Sequence, residues 1–218
     1  MKDAQHFTVK LSNKPRQQAT CLLFFVFLDK KMEKSELRKE QISKLKEFAN
    51  TKEKRAEDAI LLEKLMSTDL IRRSQTIGVT ASLPLEVDTS ELIARLWDKG
   101  KEVYLAKARS DQNHTLDFLR YTYMSKLVKS KFGVEEVADE DAKINNDLDL
   151  VIVPGLAFAL DSHIRLGFGG GYYDRFLAKH DPKTVALANS KMTFDTSIWP
   201  IEKTDIPVQT IVTPDKIY

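Results

Sequence analysis

The chain has a single cysteine, Cys21, in 218 residues. One thiol excludes an intramolecular disulfide and suits a reducing compartment, so a cytoplasmic protein is expected. Histidine is scarce too. Four scattered residues beside one cysteine cannot assemble a four-ligand zinc site. Neither sign of charge dominates: 34 Lys and Arg against 32 Asp and Glu leave a formal net charge of +2. No bulk field then draws the chain to nucleic acid or to a membrane, and neither partner is expected. Long hydrophobic runs are missing. The most apolar, residues 21–28, has eight members, whereas a bilayer span needs about 20. There are no internal repeats and no low-complexity tracts. What remains is 42% hydrophobic, the composition of a globular protein with room for one full core.

The apolar run at 21–28 follows Lys10, Lys14 and Arg16, as a signal peptide's would. Asp29-Lys30-Lys31 comes next, however, with no small-residue cleavage site. The simpler expectation is that residues 1–31 are an upstream extension that is not native to the domain. Met32 then opens a single domain over 32–218. A signal or interfacial segment is the other reading.

Glycine is sparse, with eight residues in all, and four of them fall within 167–171. The stretch reads Arg165-Leu166-Gly167-Phe168-Gly169-Gly170-Gly171-Tyr172-Tyr173-Asp174-Arg175-Phe176. The apolar run 150–155 before it reads as a buried strand, and 172–179 after it as a helix. A glycine-rich turn between strand and helix lets backbone N–H groups approach a phosphate closely, and the helix dipole favours the anion. Asp174 adds a hard oxygen suited to magnesium. Two common phosphate loops fail here. The dinucleotide fingerprint needs a sixth-position glycine where Tyr172 stands, and the Gly-Lys-Ser/Thr ending is replaced by Gly171-Tyr172-Tyr173. A ligand-free structural turn is the bland alternative, but such turns do not need three successive glycines beside two arginines.

The rest alternates between helices and strands. Residues 34–48 and 52–66 carry apolar positions near helical spacing among many charges. Strands are expected at 77–81, 102–106, 116–121, 150–154, 184–188 and 210–213. A helix capped by Asp88 or Thr89 should run to Trp97 and stop at Gly100. This alternation predicts an α/β fold, a three-layer α/β/α single domain with a largely parallel central sheet. Its site should lie at the carboxyl ends of the strands.

The glycine stretch closely resembles the signature of the 5-formyltetrahydrofolate cyclo-ligase family, also called methenyltetrahydrofolate synthetase. That signature reads Pro-Gly-x-x-Phe, a short gap, then Arg-Leu-Gly-x-Gly-x-Gly-Tyr-Tyr-Asp. Here it is Pro154-Gly155-Leu156-Ala157-Phe158 followed by residues 165–174, with no mismatch. Weaker similarity runs from about Lys34 to the C-terminus. Two departures stand near the folate pocket: Leu105-Ala106-Lys107 replaces a Leu-Pro ending, and Leu116-Asp117-Phe118 replaces Met-x-Phe.

The resemblance implies an ATP-dependent ligase that cyclises 5-formyltetrahydrofolate to 5,10-methenyltetrahydrofolate, with ATP and Mg2+ as cofactors, acting as a monomer. A non-catalytic folate- or nucleotide-binding paralogue is the alternative; it would not need a full phosphate and magnesium set. ATP is then expected on Lys34, Arg38, Arg165, Gly167, Gly169, Gly170, Gly171, Tyr172 and Tyr173, with Arg165 and Tyr172 acting in catalysis. On pattern alone Lys34 and Arg38 are a solvated basic face one turn apart; the family's Lys-x-x-Leu-Arg helix turns them toward phosphate. Glu86, in Glu86-Val87-Asp88-Thr89, matches the family's pterin anchor and joins Phe168 and Tyr172 as the substrate contacts. By itself Glu86 is an N-terminal helix charge. Asp174 and Asp205 would hold the metal, although Asp205 alone reads as a turn residue. His163 reads as a loop histidine.

Overall fold

Apolar spacing sets the first helices. In the computed structural model, which describes residues 31–139 and 141–218, α1 spans Lys34–Phe48 and α2 spans Lys52–Met66. α1 buries one stripe, Leu37, Gln41, Leu45 and Phe48. The Thr51 hydroxyl caps α2, accepting the Lys54 N–H at 3.0 Å. A short α3, Asp69–Arg73, was not expected; the Thr68 hydroxyl caps it. Then come α4 (Ser90–Asp98) and α5 (Tyr172–His180). The expected extension at 1–31 lies outside the described residues, apart from Lys31. Met32–Tyr218 is one compact unit.

The strands are β1 (Thr76–Val79), β2 (Glu102–Ala108), β3 (Leu116–Tyr121), β4 (Leu127–Lys129), β5 (Glu135–Val137), β6 (Leu150–Ile152), β7 (Ala157–Ala159), β8 (Arg165–Leu166), β9 (Lys183–Leu187), β10 (Thr193–Phe194) and β11 (Thr210–Val212). Six of them form the central sheet, in the order β11-β9-β6-β1-β2-β3. Every pairing in it is parallel except β2 with β3. Leu150, Val151 and Ile152 are consecutive yet 0, 0 and 5% exposed, so both faces of the sheet are covered. This is the expected three-layer arrangement. α4 packs on β2, α5 on β3 and α2 on β11.

Two glycines shape this frame. Gly100 sits at φ +70° just past α4, where its N–H reaches Trp97 O at 2.8 Å and the Lys101 N–H reaches Leu96 O at 2.9 Å. That is the left-handed stop the sequence predicts. Gly78 in β1 admits a close approach: a first side-chain atom there would meet Leu148 and the Phe118 ring at 2.7 Å. Phe118 in turn packs edge-on against Phe176 (4.9 Å) and Tyr173 (6.4 Å) of α5. The missing side chain at Gly78 thus helps seat the helix that follows the glycine loop.

Two local expectations need correcting. Neither Asp88 nor Thr89 caps α4 in the usual way. The Thr89 hydroxyl donates to Thr80 O at 2.9 Å, tying the helix to the end of β1, and Asp88 Oδ1 accepts the Ser90 N–H at 2.9 Å as a turn. Nor does the glycine turn follow the 150–155 strand directly. A hairpin, β7 with β8, intervenes and joins β10 in a three-stranded sheet. This hairpin has its own small core of Leu37, Ala157, Ala159, Ile164, Leu166 and Trp199. Leu37 belongs to α1, so the same core that supports the glycine loop also brings Lys34 and Arg38 to it.

Candidate active site

Beyond the carboxyl ends of β1 and β6 opens a cavity of about 1260 Å³. Single small ligands usually occupy about 300–1,000 Å³, so this space can hold two. Every residue expected at the site lines it: Lys34, Arg38, Glu86, Arg165, Gly167, Phe168, Gly169, Gly170, Gly171, Tyr172, Tyr173, Asp174 and Asp205.

The glycine loop runs from β8 into α5. Gly169 and Gly171 have φ of +101° and +67°, which side-chain-bearing residues rarely adopt. Gly171 stands at the N-cap of α5 and has no side chain to offer, so no capping group occupies the first-turn N–H groups. The loop is braced by arginines. Arg38 Nε donates to Gly167 O at 2.9 Å and its guanidinium lies over Gly169. Arg175 Nη2 donates to Gly170 O. Gly167 differs from its neighbours. A side-chain atom there would meet nothing within 4 Å, so the space over it is open.

The charged residues are already paired. Arg165 is 6% exposed; it donates to Ile206 O at 2.8 Å and to Asp174 Oδ1 at 2.9 Å. Asp174 Oδ1 also accepts the Ile206 N–H at 3.1 Å, while Oδ2 accepts nothing among the described residues. Lys34 Nζ donates to both oxygens of Asp205, at 2.9 and 2.8 Å, and Oδ2 also accepts the Glu202 N–H at 2.8 Å. The two aspartates expected to hold a metal therefore each face a cation. Among the described residues no three carboxylate, histidine or cysteine side chains are grouped as a metal cage. Asp174 Oδ2 is an open hard donor, and it fits a magnesium ion completed by water and phosphate oxygens. Among the described residues Asp205 Oδ1 accepts only the Lys34 ammonium, so this carboxylate also keeps an acceptor site open.

At the other end sits Glu86. It is 7% exposed, and burial pushes its carboxyl up to about 7 against a partly offsetting hydrogen bond from the Leu83 N–H. That bond, 2.7 Å to Oε2, leaves Oε1 without a partner among the described residues. A desolvated carboxylate with an open oxygen is built to accept hydrogen bonds from a ligand. Tyr173 lies on this side: its hydroxyl bonds Thr80 Oγ1 at the end of β1, and burial pushes its phenol up. Tyr173 thus lies between the charges of Glu86 and Arg165. Tyr172 faces an aromatic cluster, its ring 5.0 Å from His114 and 5.9 Å from Phe132. Phe168 is 46% exposed on the loop. His163 is a loop residue at φ +58°, bonded through Nδ1 to Val208 O.

Sequence reasoning overlooked several lining residues. Arg175 stands beside the recognised motif and was visible as its second arginine. Phe132 and Glu136 come from the β4–β5 ribbon, whose three-residue strands give almost no periodic signal. Thr80 lay at the predicted strand's end without a chemical mark.

The comparisons agree with this geometry. A model of the 5-formyltetrahydrofolate cyclo-ligase family matches residues 30–214. The chain is 32% identical over 160 residues to the 5-formyltetrahydrofolate cyclo-ligase of Escherichia coli K12, covering 71% of this chain and 86% of that one. It is 26% identical over 193 residues to a probable 5-formyltetrahydrofolate cyclo-ligase of Caenorhabditis elegans, covering 82% and 91%. The solution structure of the Aquifex aeolicus 5,10-methenyltetrahydrofolate synthetase superposes with a TM-score of 0.70 at 30% identity, covering 85% of this chain and 92% of that one. The Mycoplasma pneumoniae 5,10-methenyltetrahydrofolate synthetase shares the fold, with a TM-score of 0.62 at 22% identity over 83% and 98%. With the uninterrupted motif, the shared fold and a family match over most of its length, this chain belongs to the 5-formyltetrahydrofolate cyclo-ligase family.

Proposed function

We propose that the protein cyclises 5-formyltetrahydrofolate to 5,10-methenyltetrahydrofolate at the expense of ATP, releasing ADP and phosphate. The observation that carries this reading is one cavity with two unlike ends. A glycine loop beside Lys34, Arg38 and Arg175 forms the phosphate end. A desolvated carboxylate, Glu86, forms the other. An aminopyrimidinone edge donates two N–H bonds, which a carboxylate accepts.

The chemistry requires that both ends share one space. The N5-formyl carbonyl is amide-like, and its oxygen is a poor leaving group. Transfer of the γ-phosphoryl group to that oxygen yields an N5-iminium phosphate and ADP. N10 then attacks the carbon and gives up its proton, and the C–O bond breaks as phosphate departs. The protein needs no nucleophile of its own. It aligns the γ-phosphate with the formyl oxygen and offsets the developing charge. Lys34 and Arg38 reach the phosphates from α1, and the N–H groups at the start of α5 receive them. Arg165 acts from below, fixing Asp174 and the 206 segment. Tyr172 lines the shared cavity from the start of α5, against His114 and Phe132, and is assigned to catalysis on the family motif. Magnesium, held by Asp174 Oδ2, would neutralise phosphate charge. Phe168 covers the folate from the loop. Action as a monomer is part of this reading, and the lone cysteine supports a cytoplasmic setting. No helix among the described residues is long and apolar enough to cross a membrane.

Absorbance of methenyltetrahydrofolate tests this directly. Purified protein should form it with ATP and Mg2+ and not without ATP. Turnover that ignores ATP, or no turnover by folded protein, overturns the proposal.

A further inference from the structure

The buried stripe of α1 holds one polar residue, Gln41, between Leu37 and Leu45. Gln41 is 2% exposed. A buried amide costs free energy unless its hydrogen bonds are made. Gln41 makes them to two carbonyls from distant parts of the chain. Its Nε2 donates to Leu156 O at 3.0 Å and to Lys191 O. Leu156 ends the turn between β6 and β7, straight after Pro154 and Gly155. Lys191 stands in the turn between β9 and β10, straight before Met192. Pro154, Gly155 and Met192 line a small cavity of about 30 Å³ together with Glu86. One amide thus fastens, from behind, two turns that flank Glu86. The seat of α1 does not depend on this amide, because Leu37 packs in the hairpin core and Leu45 in the main one.

We propose that Gln41 is a positioning residue for the substrate end: it sets the spacing of the 154–156 and 190–192 turns, and with it the width of the slot that Glu86 faces. The inference rests on the reading of Glu86 as the folate contact. A carboxylate selects a flat edge with two donors only where the walls hold that edge in the carboxylate plane. A methionine at 41 would continue the apolar stripe, yet it would leave both carbonyls unpaired and the two turns unfastened. Arg38 and Lys34 lie one and two turns earlier on the same helix. With α1 seated by its leucines, a loss at Gln41 should reach folate and spare ATP.

Gln41→Met tests this, since it keeps the length of the side chain and removes both donors. Calorimetry measures 5-formyltetrahydrofolate alone and ATP alone on wild type and variant. Folate binding is expected to weaken on the order of 10-fold, with ATP affinity within about twofold of wild type. In turnover, KM for folate should rise by a similar factor while kcat at saturating folate stays within about threefold. A purely structural role would lower the melting temperature without favouring one ligand. Folate affinity within about twofold of wild type in the folded variant, or equal losses for both ligands, would overturn the proposal. Should Gln41→Met fail to fold, Gln41→Asn carries the same comparison. Its amide survives but is too short to span both carbonyls, so the same selective loss of folate is expected. Wild-type protein that binds both ligands but forms no methenyl product would defeat the proposed function and leave this comparison readable.

Discussion

Glu86 holds a carboxylate where water is nearly excluded, and that position costs stability. Its ordinary value is 4.5 and burial moves it to about 7. Between those values the folded state keeps a proton that the unfolded state has released. Stability therefore falls as pH rises from about 4.5 to about 7, by roughly 3 kcal/mol if this group acts alone. Glu86→Gln removes the titration. Denaturant melts across that window should show the variant gaining on wild type as pH rises, levelling off above about 7. A constant gap would refute the assignment. The same substitution swaps an acceptor for a donor and should weaken folate binding about 10- to 100-fold, with ATP affinity unchanged, as calorimetry would show. In wild type, folate affinity should fall as pH drops below about 7, since the protonated carboxyl accepts poorly. At this scale the sequence was highly legible where chemistry was concentrated. The residues at 165–174 carry charge, hydroxyls and backbone freedom in one run. It was less legible for pairing. Nothing in the sequence says that Lys34 faces Asp205, because the two are 171 positions apart.

Among elements, the glycine loop offers the sharpest test. Gly169 and Gly171 have conformations that resist any side chain, so substituting them confounds strain with function. Gly167 has open space above it and no positive φ. Gly167→Ala should leave the melting temperature unchanged within about 2 °C, yet weaken ATP binding about 10-fold or more by filling the phosphate approach. Normal ATP affinity in that variant would move the phosphate elsewhere. Gly78→Ala makes the opposite prediction. Its methyl group would press on Leu148 and on the fully buried Phe118, costing about 1–3 kcal/mol in a chemical melt. Displacement of Phe118 would also disturb Phe176 and Tyr173, so activity should fall with stability. The long periodic elements, α1, α2 and β3, were read to their observed ends. The β7–β8 hairpin was missed because β8 has only two residues and its partner is followed closely by turn residues. Such strands exist through pairing, not through their own pattern.

For the whole molecule, the claim is that two ligands meet in one space, joined by an oxygen atom. The fold supplies that space by packing a small hairpin sheet against Leu37 of α1, beyond the strand ends of the largely parallel sheet. Alternating strands and helices announced the sheet, and the carboxyl-end rule announced the side on which the candidate cavity opens. The second core beneath the loop, centred on Leu37 and Trp199, was not announced, since its residues are spread along the chain. The most direct test follows the bridging oxygen. 5-Formyltetrahydrofolate labelled with 18O in the formyl group is turned over with ATP, and the released phosphate is analysed by mass spectrometry. The account predicts one 18O atom in each phosphate formed. Label recovered in water, with unlabelled phosphate, would contradict it.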